Sequence, residues 1–413
     1  VKRLATALLL LISLQSFADD AYPTIVEIAF EGNEVTRPQV MLREMVVKVG
    51  DPADPAQIEK SRQGIQDLGL FRRVNLRQEP VDGGVRLVFR VDERYYFLPL
   101  PRGDVKSDGR YSYGAQLRWD NVTGRNHSLY VLVEQEDRKR QGIGKETNFV
   151  ASYRAPFAFG SPYALSGSVG YTTRPVQGDL GEYTEDFRTV SLRGSRTYSD
   201  GAASQGYTVG TGVNWQQQRT SGEFAPAAYG DALAPVLQIR YRDFHNHIYS
   251  DVGRWWSVSV EGAHRELGSD YNYTAWNAAY ASYFNVGSLE HQTVHLKAYT
   301  GLYFSGPDGV RQFGLGGSSA LRSYDSNFIE GNAYYYLTAE YARPLYWRWL
   351  RGVVIAEAGN VFAHPEDANF QKVYSSIGVA LRLRLTHFVD FEMEIGYSYS
   401  LDGSGARLFG GRV

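Results

Sequence analysis

Cysteine is absent from the 413 residues, so no disulfide braces this exported-looking chain and its stability has to come from a packed core or a closed sheet. Methionine occurs only three times. No apolar run reaches the roughly 20 residues that an α-helix needs to cross a bilayer; Leu4 to Leu14 falls well short, and no later stretch is long enough. Net charge is small as well, −2, with both signs distributed along the chain, which leaves no basic footprint for nucleic acid. Motifs of catalysis are missing too. No GxSxG elbow marks a hydrolase, no carboxylate pair is singled out by spacing for acid/base work, and His245 and His247 in RDFHNHIYSD lack a third metal ligand and fit a polar turn better. The expectation is a non-enzyme without metal or cofactor.

What the chain has is glycine and aromatics: 43 Gly, 30 Tyr and 7 Trp. Apolar and polar residues are interleaved rather than segregated, the profile of a large barrel with an aromatic girdle. The amino end carries Lys2 and Arg3, the apolar run, then small residues Ser16 and Ala18. This pattern reads as a secretory signal peptide over residues 1–18.

Residues 24–93 form a unit of their own. Ile25 to Phe30 alternates as a strand and ends at the turn Glu31-Gly32-Asn33. Val40, Leu42, Met45 and Val46 predict an amphipathic helix from near Thr36 to Gly50. A second helix opens at Asp54-Pro55, buries Ile58, Ile65 and Leu68, and stops at Gly69. Strands Val74 to Gln78 and Val85 to Val91, joined at Asp82-Gly83-Gly84, close the unit.

From Arg94 to Val413 the signal is two-residue alternation. In HFVDFEMEIGYSYSL, Phe391, Met393, Ile395, Tyr397, Tyr399 and Leu401 share one face, and Asp390, Glu392, Glu394, Gly396, Ser398 and Ser400 the other. One face must see lipid and the other water. Arg382 and Arg384 likewise oppose Val379, Leu381 and Leu383. Tyr346, Trp347 and Trp349 cluster in a turn suited to a membrane interface. At about 20 residues per strand with half its connections, 94–413 holds about 16 antiparallel strands. The twelfth lies near Ala333 and the thirteenth near Val353. Odd strands run away from the side that holds the first unit, so the long break after the eleventh, Ser305 to Gly331, is a loop on the opposite side of the membrane.

That loop contains GLGGSSALRSYDSN, with Gly314, Gly316, Gly317 and a lone Arg322. A loop of about 25 residues can reach ~30 Å and fold back inside a barrel of this size. Glu340 and Glu357 both point inward by parity, so Arg322 would meet carboxylates in a confined lumen and form charge-assisted bonds. The plain alternative is a solvated surface arginine, whose exposed pairs are worth roughly 0 to 1 kcal/mol.

The strands that must close the barrel are weak. RYYFLPLP, with Phe97, carries Pro99 and Pro101, which cannot donate ladder bonds. ARLFGGRV, with Phe409, carries adjacent Gly410 and Gly411. This seam is the cheapest place to open and offers an edge for an incoming strand.

The order strand, helix, helix, hairpin, with FEGNEVT, DLGLFRRV and LVFRVDER, resembles a POTRA domain, the periplasmic module of the BamA/TamA outer-membrane assembly and translocation superfamily. Leu321, Arg322, Ser323 and Tyr324 are similar to its loop-six signature, with Ser323 where the family usually has Gly. IAEAG, with Glu357 and Gly359, resembles its aromatic-x-Asp-x-Gly strand motif, with Glu in place of Asp. Val413 stands where the family usually ends on an aromatic. The resemblance implies a bacterial outer-membrane β-barrel with one periplasmic POTRA domain, in which Arg322 contacts Glu340 and Glu357. It implies action on a client polypeptide, by insertion or translocation, in contact with outer-membrane lipid. One POTRA where the general insertase has five argues for a specialised translocator, and with only a few residues before the module the expectation is a barrel without the plug helix of two-partner secretion transporters. The other reading is a passive channel or surface antigen plugged by the same loop.

Overall fold

The structure, a computed structural model, describes residues 22–105, 111–137, 144–307 and 312–411. The signal peptide read over 1–18 and the terminal Val413 lie outside the described residues. In the first unit, β1 (Ile25–Glu31) is followed by α1 (Pro38–Leu42), α2 (Pro55–Asp67), β2 (Phe71–Val81) and β3 (Gly84–Glu93). The sheet order is β1-β3-β2, parallel then antiparallel. Ile25, Met41, Ile58, Ile65, Phe71, Leu87 and Phe89 make one closed core between sheet and helices.

The second helix starts where its residues dictate: Asp54 caps it by accepting from the Ala56 N–H at 2.9 Å, and Pro55 occupies the first turn. The first helix is shorter than its periodicity suggests and stops at Leu42. Its continuation is diverted by Ser61 of α2, whose hydroxyl accepts from Val46 N–H at 2.9 Å and Val47 N–H at 3.1 Å. Those donors would otherwise have bonded back along the helix. As a result Met45 and Val47 turn into the core while Leu42 is exposed.

The rest of the chain winds one antiparallel sheet of sixteen strands. In order these are β4 (Phe97–Val105), β5 (Tyr111–Val122), β6 (His127–Asp137), β7 (Lys145–Ala155), β8 (Tyr163–Gln177), β9 (Glu182–Tyr198), β10 (Gly206–Ser221), β11 (Gly230–Asn246), β12 (Asp251–Ala263), β13 (Tyr273–Asn285) and β14 (Thr293–Phe304). Within the following loop, β15 (Phe313–Leu315) pairs with β16 (Ile329–Gly331). The sheet resumes with β17 (Ala333–Pro344), β18 (Leu350–Phe362), β19 (Tyr374–Leu385), β20 (Phe391–Ser400) and β21 (Ala406–Gly411). Every barrel strand pairs with its neighbour in sequence, and β14 pairs directly with β17 across the loop. Local hairpin connectivity of this kind, with one apolar and one polar face, is how a chain with interleaved polarity satisfies its backbone inside a bilayer.

The outer face carries Leu237, Val379, Ile395, Tyr397 and Leu408, all exposed, while Ser398, Ser400, Glu394 and Arg382 on the alternate positions are buried. Phe391 departs from the expected outer face. It is buried, 5.7 Å from Phe388 in the turn before β20, because that turn packs against the first unit. The stacked Trp347 and Trp349 rings, 4.9 Å apart, lie in the β17–β18 turn at the same end.

The first unit sits against the turns at this end of the barrel. Arg37 N–H donates to Gly124 O at 2.9 Å, Tyr95 N–H to His387 O at 2.7 Å, and Arg94 Nη1 to Phe388 O at 3.3 Å. His245, at the end of β11, holds Asp67 at 2.7 Å, so it serves the junction. Glu44 is buried there and accepts from the Ser204 N–H at 2.9 Å.

Burial pushes the Glu44 carboxyl up from 4.5 to about 7, against the lowering pull of the Ser204 N–H. An acid raised in the native state holds a proton there that the unfolded chain has lost. Its contribution is therefore largest below pH 4.5 and falls as pH rises toward 7. At roughly 1.4 kcal/mol per pH unit the whole effect is about 3 kcal/mol at most. Wild-type stability from urea unfolding should drop between pH 5 and pH 8 by more than that of Glu44→Gln, which keeps an oxygen for Ser204. Equal drops in the two proteins would remove Glu44 as the cause.

Candidate functional site

The long loop after β14 turns back into the lumen and becomes part of the barrel wall's inner lining. Its base is the short β15–β16 ladder, and its tip is a tight set of turns in which Gly317 N–H donates to Tyr324 O at 3.1 Å and Tyr324 N–H to Leu321 O at 2.9 Å. Leu315, Leu321 and Tyr324 pack on Tyr336 of the wall, and the Tyr324 ring stands 4.7 Å from Phe328 and 5.7 Å from Tyr374. Burying these rings fixes the loop tip before any charge is considered.

Gly316 is what lets the loop cross itself. Its φ is +121°, and a Cβ there would sit 1.9 Å from Asp325 O, a clash with backbone that no rotamer relieves. Gly314 and Gly317 are less tightly placed, with the nearest atoms the Asn327 Oδ1 and Ser326 Oγ side-chain ends, each 2.9 Å from where a Cβ would stand. Gly316→Val should therefore detach the tip, read as new protease cleavage near Arg322 in the folded protein. A cleavage pattern identical to wild type would refute this role.

The packed tip delivers Arg322 to three strands at once. Its Nη1 donates to Glu357 Oε1 at 2.7 Å and its backbone N–H to Glu357 Oε2 at 2.9 Å, so the longer carboxylate at this position spans side chain and main chain of one residue. Nη2 reaches Glu340 Oε1 at 3.3 Å and Glu394 Oε1 at 3.8 Å. All four residues are buried. Ser323 is buried as well and needs no left-handed backbone, which explains why a residue with a Cβ fits where the family motif has glycine.

Glu357 is further gripped by Tyr336 Oη at 2.5 Å and Ser376 Oγ at 2.8 Å, both donating to it. Gly359 lies opposite Tyr336 in the ladder, where a Cβ would come 2.7 Å from Tyr335 O and 3.0 Å from Leu315 Cδ1. Bare backbone at Gly359 thus lets the loop lie flat on β18.

Arg322, Glu340 and Glu357 are legible in the sequence, but the residue that completes the site is not. Arg382 is fully buried, with Nη2 2.8 Å from Glu340 and 2.5 Å from Glu394. His295 stands 3.6 Å from Glu340. Among the described residues the cluster sets three carboxylates against two guanidinium groups, each carboxylate answered by charge-assisted bonds, the arrangement under which buried charge is tolerated. Inward parity placed Arg382 and Glu394 on the right face, but nothing in the sequence shows which inward residues of different strands meet.

The terminal strand joins the same cluster. Phe409 is only 6 % exposed and faces inward, with the Arg322 guanidinium 5.3 Å from its ring centre, a cation–π distance. Arg407 pairs with Asp325 of the loop. Phe97, 55 % exposed, and Pro99 lie on the outer face of β4. Phe97 and Phe409, grouped as one seam in the sequence, therefore point to opposite faces, and a crosslink across the seam must join residues on the same side. β4 and β21 stand at the two ends of the sheet, and no ladder joins them among the described residues. Gly410 and Gly411 end β21, which is six residues long.

Two family models match in the order the fold requires. One, described as POTRA, surface antigen variable number repeat, covers residues 23–94, and the other, the Omp85 superfamily domain, covers 121–402. Among curated proteins, the chain is 37% identical over 70 residues to the outer membrane protein assembly factor BamA of Nitratidesulfovibrio vulgaris, and 27% identical over 177 residues to that of Neorickettsia risticii. These stretches are 17% and 42% of this chain and only 9% and 22% of those relatives. Among solved structures, CdiB from Escherichia coli superposes with a TM-score of 0.66 at 14% identity, over 94% of this chain and 76% of that one. BamA from Haemophilus ducreyi lacking POTRA domains 1-3 does so at 0.54 and 16%, over 94% and 83%. An outer-membrane barrel of sixteen strands behind a periplasmic POTRA domain, matched by family over both parts, places this chain in the Omp85 superfamily.

Proposed function

We propose that the protein mediates insertion or translocation of a client polypeptide at the outer membrane, with the POTRA domain docking the client and the lumenal loop locking the barrel until it arrives. The observation that carries this reading is the grip of one loop arginine on β17, β18, β20 and β21 together. A loop that merely narrowed a pore would have no need to hold the terminal strand. An incoming extended segment adds to the free edge beside β21 through main-chain bonds, which demand little of its sequence.

A photoreactive benzoylphenylalanine at Leu408, on the lipid face of β21 and 76 % exposed, tests the seam. With the protein in liposomes and a urea-denatured eight-stranded barrel polypeptide as client, crosslinking at Leu408 should exceed that at Leu237, on the far wall, several-fold. Equal yields at the two positions would sink the seam as the route. The passive-channel reading makes a different prediction: a steady, solute-selective conductance in planar bilayers, where a locked translocator is mostly closed and flickers.

A further inference from the structure

The lumen has a second charged wall that the loop does not touch. On β7, β9 and β11, inward positions carry Arg154, Arg193, Arg240 and Arg242. Arg154 and Arg193 both pair with Ser166, one from each side, so they stand two strand spacings, about 10 Å, apart. Arg240 and Arg242 follow on β11, opposite Thr208 and Gly206. Among the described residues none of the four has a carboxylate within ion-pair distance. Arg193 donates to Asn214 Oδ1 at 3.5 Å and Arg242 lies 5.3 Å over the Phe244 ring. The Nε atoms of Arg193, Arg240 and Arg242 are buried without a hydrogen-bond partner.

Arg154 and Arg242 line a chamber of about 720 Å³ between barrel and POTRA domain, a volume typical of ligand sites. Of the carboxylates around it, Asp120 pairs with Arg118, Asp251 with Arg384, Glu392 with Arg351 and Asp67 with His245, which leaves Asp390 as the one lining carboxylate without an ion pair among the described residues, against Arg94, Arg154 and Arg242. A further cation, Arg94, is itself nine-tenths buried and lines the same chamber with its Nη2 unpartnered. Guanidinium nitrogens left without acceptors, on side chains that no carboxylate pairs, are in a confined, partly desolvated space a standing demand for anionic oxygens.

We propose that this wall binds an acidic segment of polypeptide on its way through the periplasmic half of the lumen. The proposal rests on the reading that the barrel handles polypeptides, and it names a substrate preference within that reading. Lipid is excluded as the occupant because all four side chains face the lumen rather than the membrane. An extended segment presents every second side chain on one face at about 7 Å spacing. Alternate Asp or Glu residues therefore run along the arginine row, each taking a charge-assisted bond that the chain itself does not supply.

Binding is read by fluorescence anisotropy of a fluorescein-labelled glutamate decapeptide on the full-length protein in detergent, with no client turnover involved. Expected are micromolar affinity, loss of at least tenfold between 50 and 300 mM NaCl, and no binding of the glutamine decapeptide. The Arg240→Gln/Arg242→Gln protein should bind at least tenfold more weakly, and Arg240→Lys/Arg242→Lys should recover most of the affinity. Should the glutamine pair not accumulate, Arg154→Gln, at an exposed lumenal position, gives the same reading. Unchanged affinity in the glutamine variants overturns the proposal. So does competition by inorganic phosphate at equal charge concentration, which would make the wall a small-anion site only. A protein that binds the peptide yet moves no client leaves the arginine wall standing and removes the translocation reading; the converse result removes the wall alone.

Discussion

Arg322→Ala should leave a barrel that inserts but is leaky, thermally weaker and poor at handling clients. Removing the guanidinium strips Glu357 of a 2.7 Å ion pair, leaving it the hydrogen bonds of Tyr336 and Ser376, and takes one cation from Glu340 and Glu394, which Arg382 still holds. Deleting one partner of a buried pair typically costs 3–5 kcal/mol, about that of a small domain's whole margin. Two features soften the loss here. The cluster borders a cavity of about 630 Å³, roomy enough for water to reach the abandoned carboxylates, and sixteen paired strands remain. The loop tip keeps its aromatic packing, so detachment is partial and conductance becomes noisy rather than fully open. Planar-bilayer recordings and client assembly, measured side by side on Arg322→Ala and Arg322→Lys, decide the matter. Lysine keeps the charge but cannot bridge two carboxylates as a fork, so it should fall between wild type and alanine. Wild-type conductance together with wild-type assembly in the alanine protein would dispose of the lock.

Removal of Thr24 to Asp92 behind an intact leader should abolish client handling while the barrel still reaches the membrane. The module's core is nearly self-contained, drawing only Tyr96 and Val389 from the barrel side, so each part buries its own apolar surface. Besides Tyr96 and Val389, the truncation uncovers polar groups: the Ser204 N–H that donates to Glu44, and His245 without Asp67. Retention of heat-modifiable migration on gels, with client assembly reduced at least tenfold, is the expected pair of results. Full assembly activity in the truncated protein would mean that the POTRA domain does not dock the client.

Much of this was legible in the sequence because membrane strands write their faces in a period of two. Glu340, Glu357, Arg382 and Glu394 could all be assigned inward from parity alone. Their partnerships could not, since Arg382 reaches Glu340 from 42 residues away, two strands over, through the tilt and stagger of a closed sheet. The first helix misled for a similar reason. Its hydrophobic spacing is genuine, yet Ser61, fifteen residues downstream, takes its backbone donors. In the sequence Phe409 belongs to the seam and Arg322 to the loop, and only the folded chain brings the ring under the guanidinium.

That last contact binds two equilibria into one. Arg322 and Asp325 hold the loop to β21 through Phe409 and Arg407, so any ligand that prefers the barrel with β21 displaced must also weaken the loop's hold, and any change that lifts the loop must favour displacement of β21 by the same factor. The thermodynamic cycle makes the two measurements interchangeable: the affinity of an edge-binding strand reports on the loop, and the accessibility of Arg322 reports on the edge.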